Sequence, residues 1–124
     1  MSIAGSKRIV AVLEDLFFTV KINESAKRAG MPIVFVKSVH DVIEKAKEHP
    51  TLIILDLNFQ SIEPLKLIAQ LKSDAETKAI SLIGYVSHVQ GELKQQAQEA
   101  GCDMVMARSA FSQNLPQILK RHSN

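Results

Sequence analysis

Charged side chains stand at the ends of apolar runs in this chain, and that spacing is where its chemistry is to be sought. Asp56 closes the run Thr51-Leu-Ile-Ile-Leu-Asp56-Leu-Asn58, Glu14 and Asp15 follow Ile9 to Leu13, Val86-Ser87 ends another run, and Arg108-Ser109 follows Cys102 to Ala107. If these runs are parallel strands of one sheet, their carboxyl ends share an edge, and that edge is where ligands collect in open α/β sheets. Glu14, Asp15, Asp56 and Arg108 then converge. Crowded carboxylates repel one another, so such a cluster persists by holding a hard cation such as Mg2+, or by pairing with the nearby guanidinium.

The elements that must position these residues can be read from two alternating periods. Ile9 to Leu13 is a strand-sized aliphatic run; Asp15 then caps a helix with Phe18, Ile22, Ala26 and Ala29 on one face, stopped by Gly30. Ile33 to Val36 is the second run, and Ser38 caps a helix carrying Val39, Val42, Ile43 and Ala46, which ends at His49-Pro50. Leu52 to Leu55 is the third, followed by a loop through Phe59 and a helix with Ile62, Leu65, Ile68 and Leu71 inward. Ile80 to Val86 and a helix lined by Val89, Leu93, Ala97 and Ala100 make the fourth unit. Cys102 to Ala107 and a helix with Phe111, Leu115, Ile118 and Leu119 make the fifth, Pro116 being expected to bend that helix or frame its start. Continuous aliphatic strands separated by amphipathic helices imply a parallel sheet covered on both faces. The expected fold is an α/β doubly wound, five-stranded parallel sheet, a flavodoxin-like (βα)5 three-layer sandwich.

Composition bounds the function. The 124 residues, 46% of them hydrophobic, suffice for one core and not for two ordinary domains, so a single domain over 1–124 with its core at 7–121 is expected. Fifteen basic against thirteen acidic residues leave +2 without a block of like charge, which argues against a nucleic-acid partner. Apolar runs are strand-sized rather than membrane-sized, one cysteine allows no internal disulfide, and Met1 to Lys7 lacks the apolar core of a signal peptide. A cytoplasmic protein without membrane contact is expected. No glycine-rich turn follows the first strand, and the acidic Leu13-Glu14-Asp15-Leu16 turn disfavours a dinucleotide or flavin; no histidine-containing loop follows it either, as a cobalamin site of similar topology has.

With Asp56 after the third strand, the pair Glu14-Asp15 after the first, and Ala100-Gly101-Cys102-Asp103 before the fifth, the chain resembles a response-regulator receiver domain, the CheY-like family of two-component signalling. The resemblance implies that Glu14, Asp15 and Asp56, with the Asn58 carbonyl, hold Mg2+, and that Asp56 accepts a phosphoryl group from a histidine kinase or phosphotransfer protein. It also implies output through a downstream protein partner, on the face of the fourth helix, fifth strand and fifth helix. No enzymatic activity is implied beyond Mg2+-dependent phosphorylation and dephosphorylation of Asp56 itself. With no output domain after the last helix, the chain is expected to be a stand-alone module or a domain of a longer protein.

Several positions depart from the family's pattern. Arg108 stands for its lysine, Ser109 for the following proline, Val86 for its threonine or serine, with Ser87 one place late, and Val105 for its aromatic switch residue. Ser87 and Arg108 are the remaining candidates for handling a phosphoryl group. Arginine keeps the charge but brings a longer, planar fork, which can bridge to Asp56 at rest and occupy the nucleophile. Two readings follow: a phosphorylatable receiver, or a phosphorylation-independent pseudo-receiver that binds proteins. Cys102 reads as a packed, inert thiol, His40 and His49 as solvated, and His88 as an exposed first-turn histidine at a position that in receivers can face the site. Of the neighbours Phe17 and Phe18, one is core and the other an outward anchor for a partner, or both are buried.

Overall fold

The computed structural model describes residues 8–87 and 91–123. His88 and Val89 lie outside them, as does residue 7 of the expected core. Five strands, β1 (Ile9–Val12), β2 (Ile33–Val36), β3 (Leu52–Asp56), β4 (Ser81–Val86) and β5 (Met104–Ala107), alternate with five helices, α1 (Leu16–Arg28), α2 (Val39–Ala46), α3 (Pro64–Ser73), α4 (Gly91–Ala100) and α5 (Arg108–His122). The strands form one parallel sheet in the order β2-β1-β3-β4-β5. That order reverses direction between β1 and β3, so Asp15 and Asp56 lie across the switch point, where such sheets open a crevice.

The central strands β1, β3 and β4 bury side chains on both faces, and the edge strands β2 and β5 do so only in part; that burial is why strands read as unbroken aliphatic runs rather than alternating ones. One face packs Val10, Val12, Ile53, Leu55, Leu82, Val86 and Val105 against α2, α3 and α4. The other packs Ile9, Ala11, Leu52, Ile54, Ile83 and Tyr85 against Phe18, Ile22 and Ala26 of α1 and Phe111, Leu115, Ile118 and Leu119 of α5. The sandwich therefore has two cores, separated by the sheet.

Local chemistry sets the boundaries. Asp15 caps α1 by accepting from the Phe18 amide at 3.1 Å, and Ser38 caps α2 by accepting from the Asp41 amide at 3.1 Å. Gly30 and Gly101 close α1 and α4 with φ of 68° and 117°, where side chains are disfavoured. The two other described residues at positive φ, His49 and Glu63, both precede a proline, whose ring closes the right-handed helical region to its neighbour. Glu63 thus separates the short 3-10 turn Gln60–Ile62 from α3, which opens on Pro64.

Several expected boundaries shift. Leu13, Ile80 and Cys102 are buried but lie just outside β1, β4 and β5. On α3 the inward residues are Leu67, Ile68 and Leu71, with Leu65 only partly buried and Ile62 in the preceding turn, because the helix starts later than the apolar spacing suggests. Pro116 does not frame the start of α5, which begins at Arg108 and runs through the proline. Among the described residues no helix is long and apolar enough to cross a membrane.

Candidate functional site

Two helix beginnings and two strand ends build the site. Asp15, between β1 and α1, is positioned by capping: its Oδ1 accepts from the Phe18 amide at 3.1 Å, and its backbone carbonyl accepts from the Thr19 amide at 2.9 Å and hydroxyl at 2.8 Å. The other carboxylate oxygen, Oδ2, accepts from an Nη of Arg108 in a charge-assisted bond. The guanidinium carbon of Arg108 lies 4.5 Å from the centroid of the Phe18 ring, a cation-π distance. Phe18 therefore serves the pair twice, through its amide toward the acid and through its ring toward the base.

The bridge that Arg108 could make to Asp56 is not formed; Asp15 takes the guanidinium instead. Arg108 is the first residue of α5, which packs with α1 on one face of the sheet, and the Phe18 ring offers the side chain a platform on that side. Asp56, the last residue of β3, is half-buried and ties its own loop: its Oδ1 accepts from the Asn58 amide at 2.9 Å, while its carbonyl accepts from the Phe59 amide at 3.1 Å. Asn58 in turn accepts at Oδ1 from the Ser87 amide, 2.8 Å away, linking the β3 loop to the end of β4. Val86 is buried among core side chains with Leu57 and Val105, and Ser87 is exposed. Glu14 is exposed as well.

The two aspartates are shifted in opposite directions. The Phe18 amide, and after it Arg108, holds Asp15 below the ordinary carboxylate range. Burial pushes Asp56 above it; the Asn58 amide and Arg108 offset part of that, and the charges of Asp15 and Glu14 add to it. The charges of Asp15 and Glu14 thus reach Asp56.

Tyr85 was not singled out by its sequence, where it is one aromatic in an aliphatic run. It pairs with Asp56 in the β3–β4 register, stacks on Phe111 at 5.0 Å and 17° between ring planes, and meets Phe18 at 4.9 Å. Its hydroxyl is buried with no hydrogen-bond partner among the described residues, and burial together with the Asp56 charge pushes its ionisation far upward. The signal that could have found it is its place in β4, beside the acid that ends β3. Of the phenylalanine pair, Phe18 is core and Phe17 is 75% exposed, beside the exposed Leu16 and Val20 of α1. His40 and His49 are exposed, and Cys102 is a buried thiol donating weakly to the Leu82 and Met104 carbonyls.

No family model and no curated protein matches the chain. Solved structures do. The chemotaxis response regulator CheY4 of Vibrio cholerae superposes with a TM-score of 0.79 at 16% identity, covering 93% of this chain and 97% of that one. The phosphorylated cyanobacterial phytochrome response regulator RcpA gives 0.78 at 21% identity, covering 93% and 89%. The receiver domain of the sensor histidine kinase PA1611 from Pseudomonas aeruginosa PAO1, which holds a magnesium ion in its active-site cleft, gives 0.79 at 15% identity, covering 95% and 98%. The fold is that of response-regulator receiver domains.

A receiver fold raises the question of whether this acid cluster fits Mg2+. In the arrangement observed it does not. Mg2+ demands near-octahedral oxygen ligation, yet both carboxylate oxygens of Asp15 are engaged, by Phe18 and by Arg108, and Glu14 is exposed. Among the described residues no three Asp, Glu, His or Cys side chains gather as a metal-holding group. The set Glu14, Asp15, Asp56 and Asn58 is brought to one edge of the sheet without being assembled around a point.

Proposed function

We propose that this chain is a receiver-type signalling module of the cytoplasm that works by protein contact without phosphoryl transfer, a pseudo-receiver. One observation carries the reading: Arg108 is bound to Asp15, the residue whose counterpart in receivers would hold the metal. The buried Val86 and Val105 support it, since neither can relay a hydroxyl contact into an aromatic movement. The downstream partner is a protein rather than a nucleic acid, and its contact is assigned to the α4, β5 and α5 face, where Met104 of β5 is 36% exposed. The most exposed large apolar side chains, Leu16 and Phe17, are on α1, so amide shifts confined to α1 on adding a partner would relocate that contact.

A second reading draws on Asp56. Its half-buried carboxylate ends β3 and is not held by Arg108, as a phosphoacceptor for a histidine kinase or phosphotransfer protein would need, with Ser87 and Arg108 at hand for the phosphoryl oxygens. Incubation with Mg2+ and a small acyl phosphate, followed by intact mass, decides between them. The pseudo-receiver reading expects no adduct; an adduct on the wild-type chain that disappears in Asp56→Ala overturns it.

A further inference from the structure

Helix α1 carries a second face, turned away from the core it forms with Phe18, Ile22 and Ala26. Phe17, Lys21, Glu24 and Arg28 recur at intervals of four, three and four residues, so they make one stripe along the helix. Phe17 is 75% exposed and Val20 beside it 51%. Among the described residues Lys21, Glu24 and Arg28 take part in no ion pair. The carboxyl end of the stripe borders a hollow of about 280 Å3, lined by Ser25, Arg28 and Ala29 of α1 and by Pro116, Lys120 and Ser123 of α5.

This stripe is complementary to its own reverse. When two α1 helices run antiparallel about a two-fold axis midway between Ile22 and Asn23, Phe17 faces Arg28 of the second copy, Lys21 faces its Glu24, and Val20 faces its small Ser25. Each of these contacts occurs twice, because a two-fold interface is made of the same patch on both sides. A parallel pairing sets Lys21 on Lys21 and Glu24 on Glu24, so charge selects the antiparallel one. The hollow is larger than the roughly 150 Å3 that holds benzene in a protein interior, and its cations, Arg28 and Lys120, suit the face of an aromatic ring.

We propose that α1 is a self-association surface, through which two copies of this chain pair antiparallel, each Phe17 ring lying on Arg28 and entering the hollow between α1 and α5 of the other copy. A foreign helix would not require a stripe that matches itself reversed; a second copy does. The 13 residues of α1 span about 20 Å. One helix pair of that length covers less than the about 800 Å2 per partner of a standard interface, so the dimer is expected to be reversible and of micromolar strength. The inference goes beyond the pseudo-receiver reading and does not depend on whether Asp56 reacts.

Sedimentation velocity of the full chain, from micromolar to millimolar concentration, tests it. Wild type is expected to pass from monomer to dimer with rising concentration, and less readily at high salt. Lys21→Glu sets acid against Glu24 twice in the dimer, and Glu24→Lys sets base against Lys21 twice; each is expected to weaken self-association by about tenfold or more. Mixing these two variants is expected to restore dimers, since every base of one chain then meets an acid of the other, and the double exchange within one chain is expected to do the same. Phe17→Ser, at an exposed position, is expected to weaken association by a similar factor without lowering the melting temperature. A wild type that stays monomeric at millimolar concentration overturns the proposal and leaves the stripe to a different protein. Dimers indifferent to Phe17→Ser and to both charge reversals overturn it as well, as does a mixture of the two reversed chains that stays monomeric.

Discussion

Each end of the sheet carries an ion pair between distant parts of the chain, and the two are built on opposite principles. At the amino end of β4 and β5, Lys72 from the end of α3 donates to Asp103 Oδ2 at 2.8 Å, to the Ile80 carbonyl at 2.8 Å and to the Lys78 carbonyl at 3.1 Å. The same Asp103 oxygen accepts from the Leu82 amide at 2.8 Å. All three ammonium donors are used, and the pair welds the start of two strands to a helix. At the carboxyl end, one guanidinium faces Asp15 and a half-buried Asp56, and a buried tyrosine hydroxyl beside them has no partner among the described residues. The first pair is satisfied and structural. Among the described residues the second edge keeps surplus negative charge and an unused donor, the condition of a place able to accept something.

If that contrast is right, the largest loss comes from breaking the satisfied end. Lys72→Met keeps the apolar stem that Gly101 packs against but takes the ammonium from two carbonyls and from Asp103, which is half exposed and keeps the Leu82 amide, so a solvent-discounted loss of about 2 kcal/mol is expected in urea unfolding. A loss no greater than that of an ordinary surface substitution would show the latch to be decorative. Asp15→Ala removes a helix cap together with a partly exposed ion pair; the expected cost is about 1–2 kcal/mol. Asp15→Asn retains capping ability and should recover roughly 1 kcal/mol of it. If the two variants unfold at the same urea concentration, capping is not what Asp15 contributes.

The unused donor predicts a change of opposite sign. Tyr85→Phe keeps the stacking on Phe111 and Phe18 while deleting the buried hydroxyl, so a gain of about 1 kcal/mol is expected, followed by far-UV circular dichroism because the sole tyrosine is gone. A loss of stability would mean that the hydroxyl does have a partner, and the contrast between the two ends would shrink to one of charge.

The same contrast explains what the sequence could reveal. The alternation of aliphatic runs with amphipathic stripes specifies five parallel units, because the central strands are buried on both faces and each helix on one. Strand ends then locate Glu14, Asp15, Asp56 and Arg108 at one edge, as read. The partner of Arg108 was not legible: it depends on where the Phe18 ring lies in three dimensions, and a long side chain chooses between two acids at the ends of neighbouring strands. Tyr85 was hidden for a related reason, since its role arises from register with Asp56 across β3 and β4 rather than from any neighbour in the chain. Leu67 replaced Leu65 on the inward face of α3 because the proline at position 64, with Glu63 left-handed before it, resets where the helix begins.

The smallest effect expected is also the one that probes the surplus charge directly. Asp56 titrates above the ordinary carboxylate value of 3.8, so its ionised form is disfavoured by folding; the protonated group favours the folded state at low pH, and that advantage is lost as pH rises through its folded pKa. Asp15 titrates below 3.8, so its contribution is present above that value and disappears as pH falls through its own lowered pKa. Asp56→Asn should therefore melt slightly higher than the wild type at neutral pH, the difference shrinking as the solution is acidified toward 3.8 and the wild-type carboxyl protonates. Asp15→Asn should instead melt lower at neutral pH and converge on the wild type only below 3.8. Two isosteric changes at one edge that move the melting temperature in opposite directions would identify Asp56 as the uncompensated charge and Asp15 as the compensated one. If both variants were destabilised at neutral pH, Asp56 too would have a compensating partner, and the carboxyl edge would be as satisfied as the amino edge.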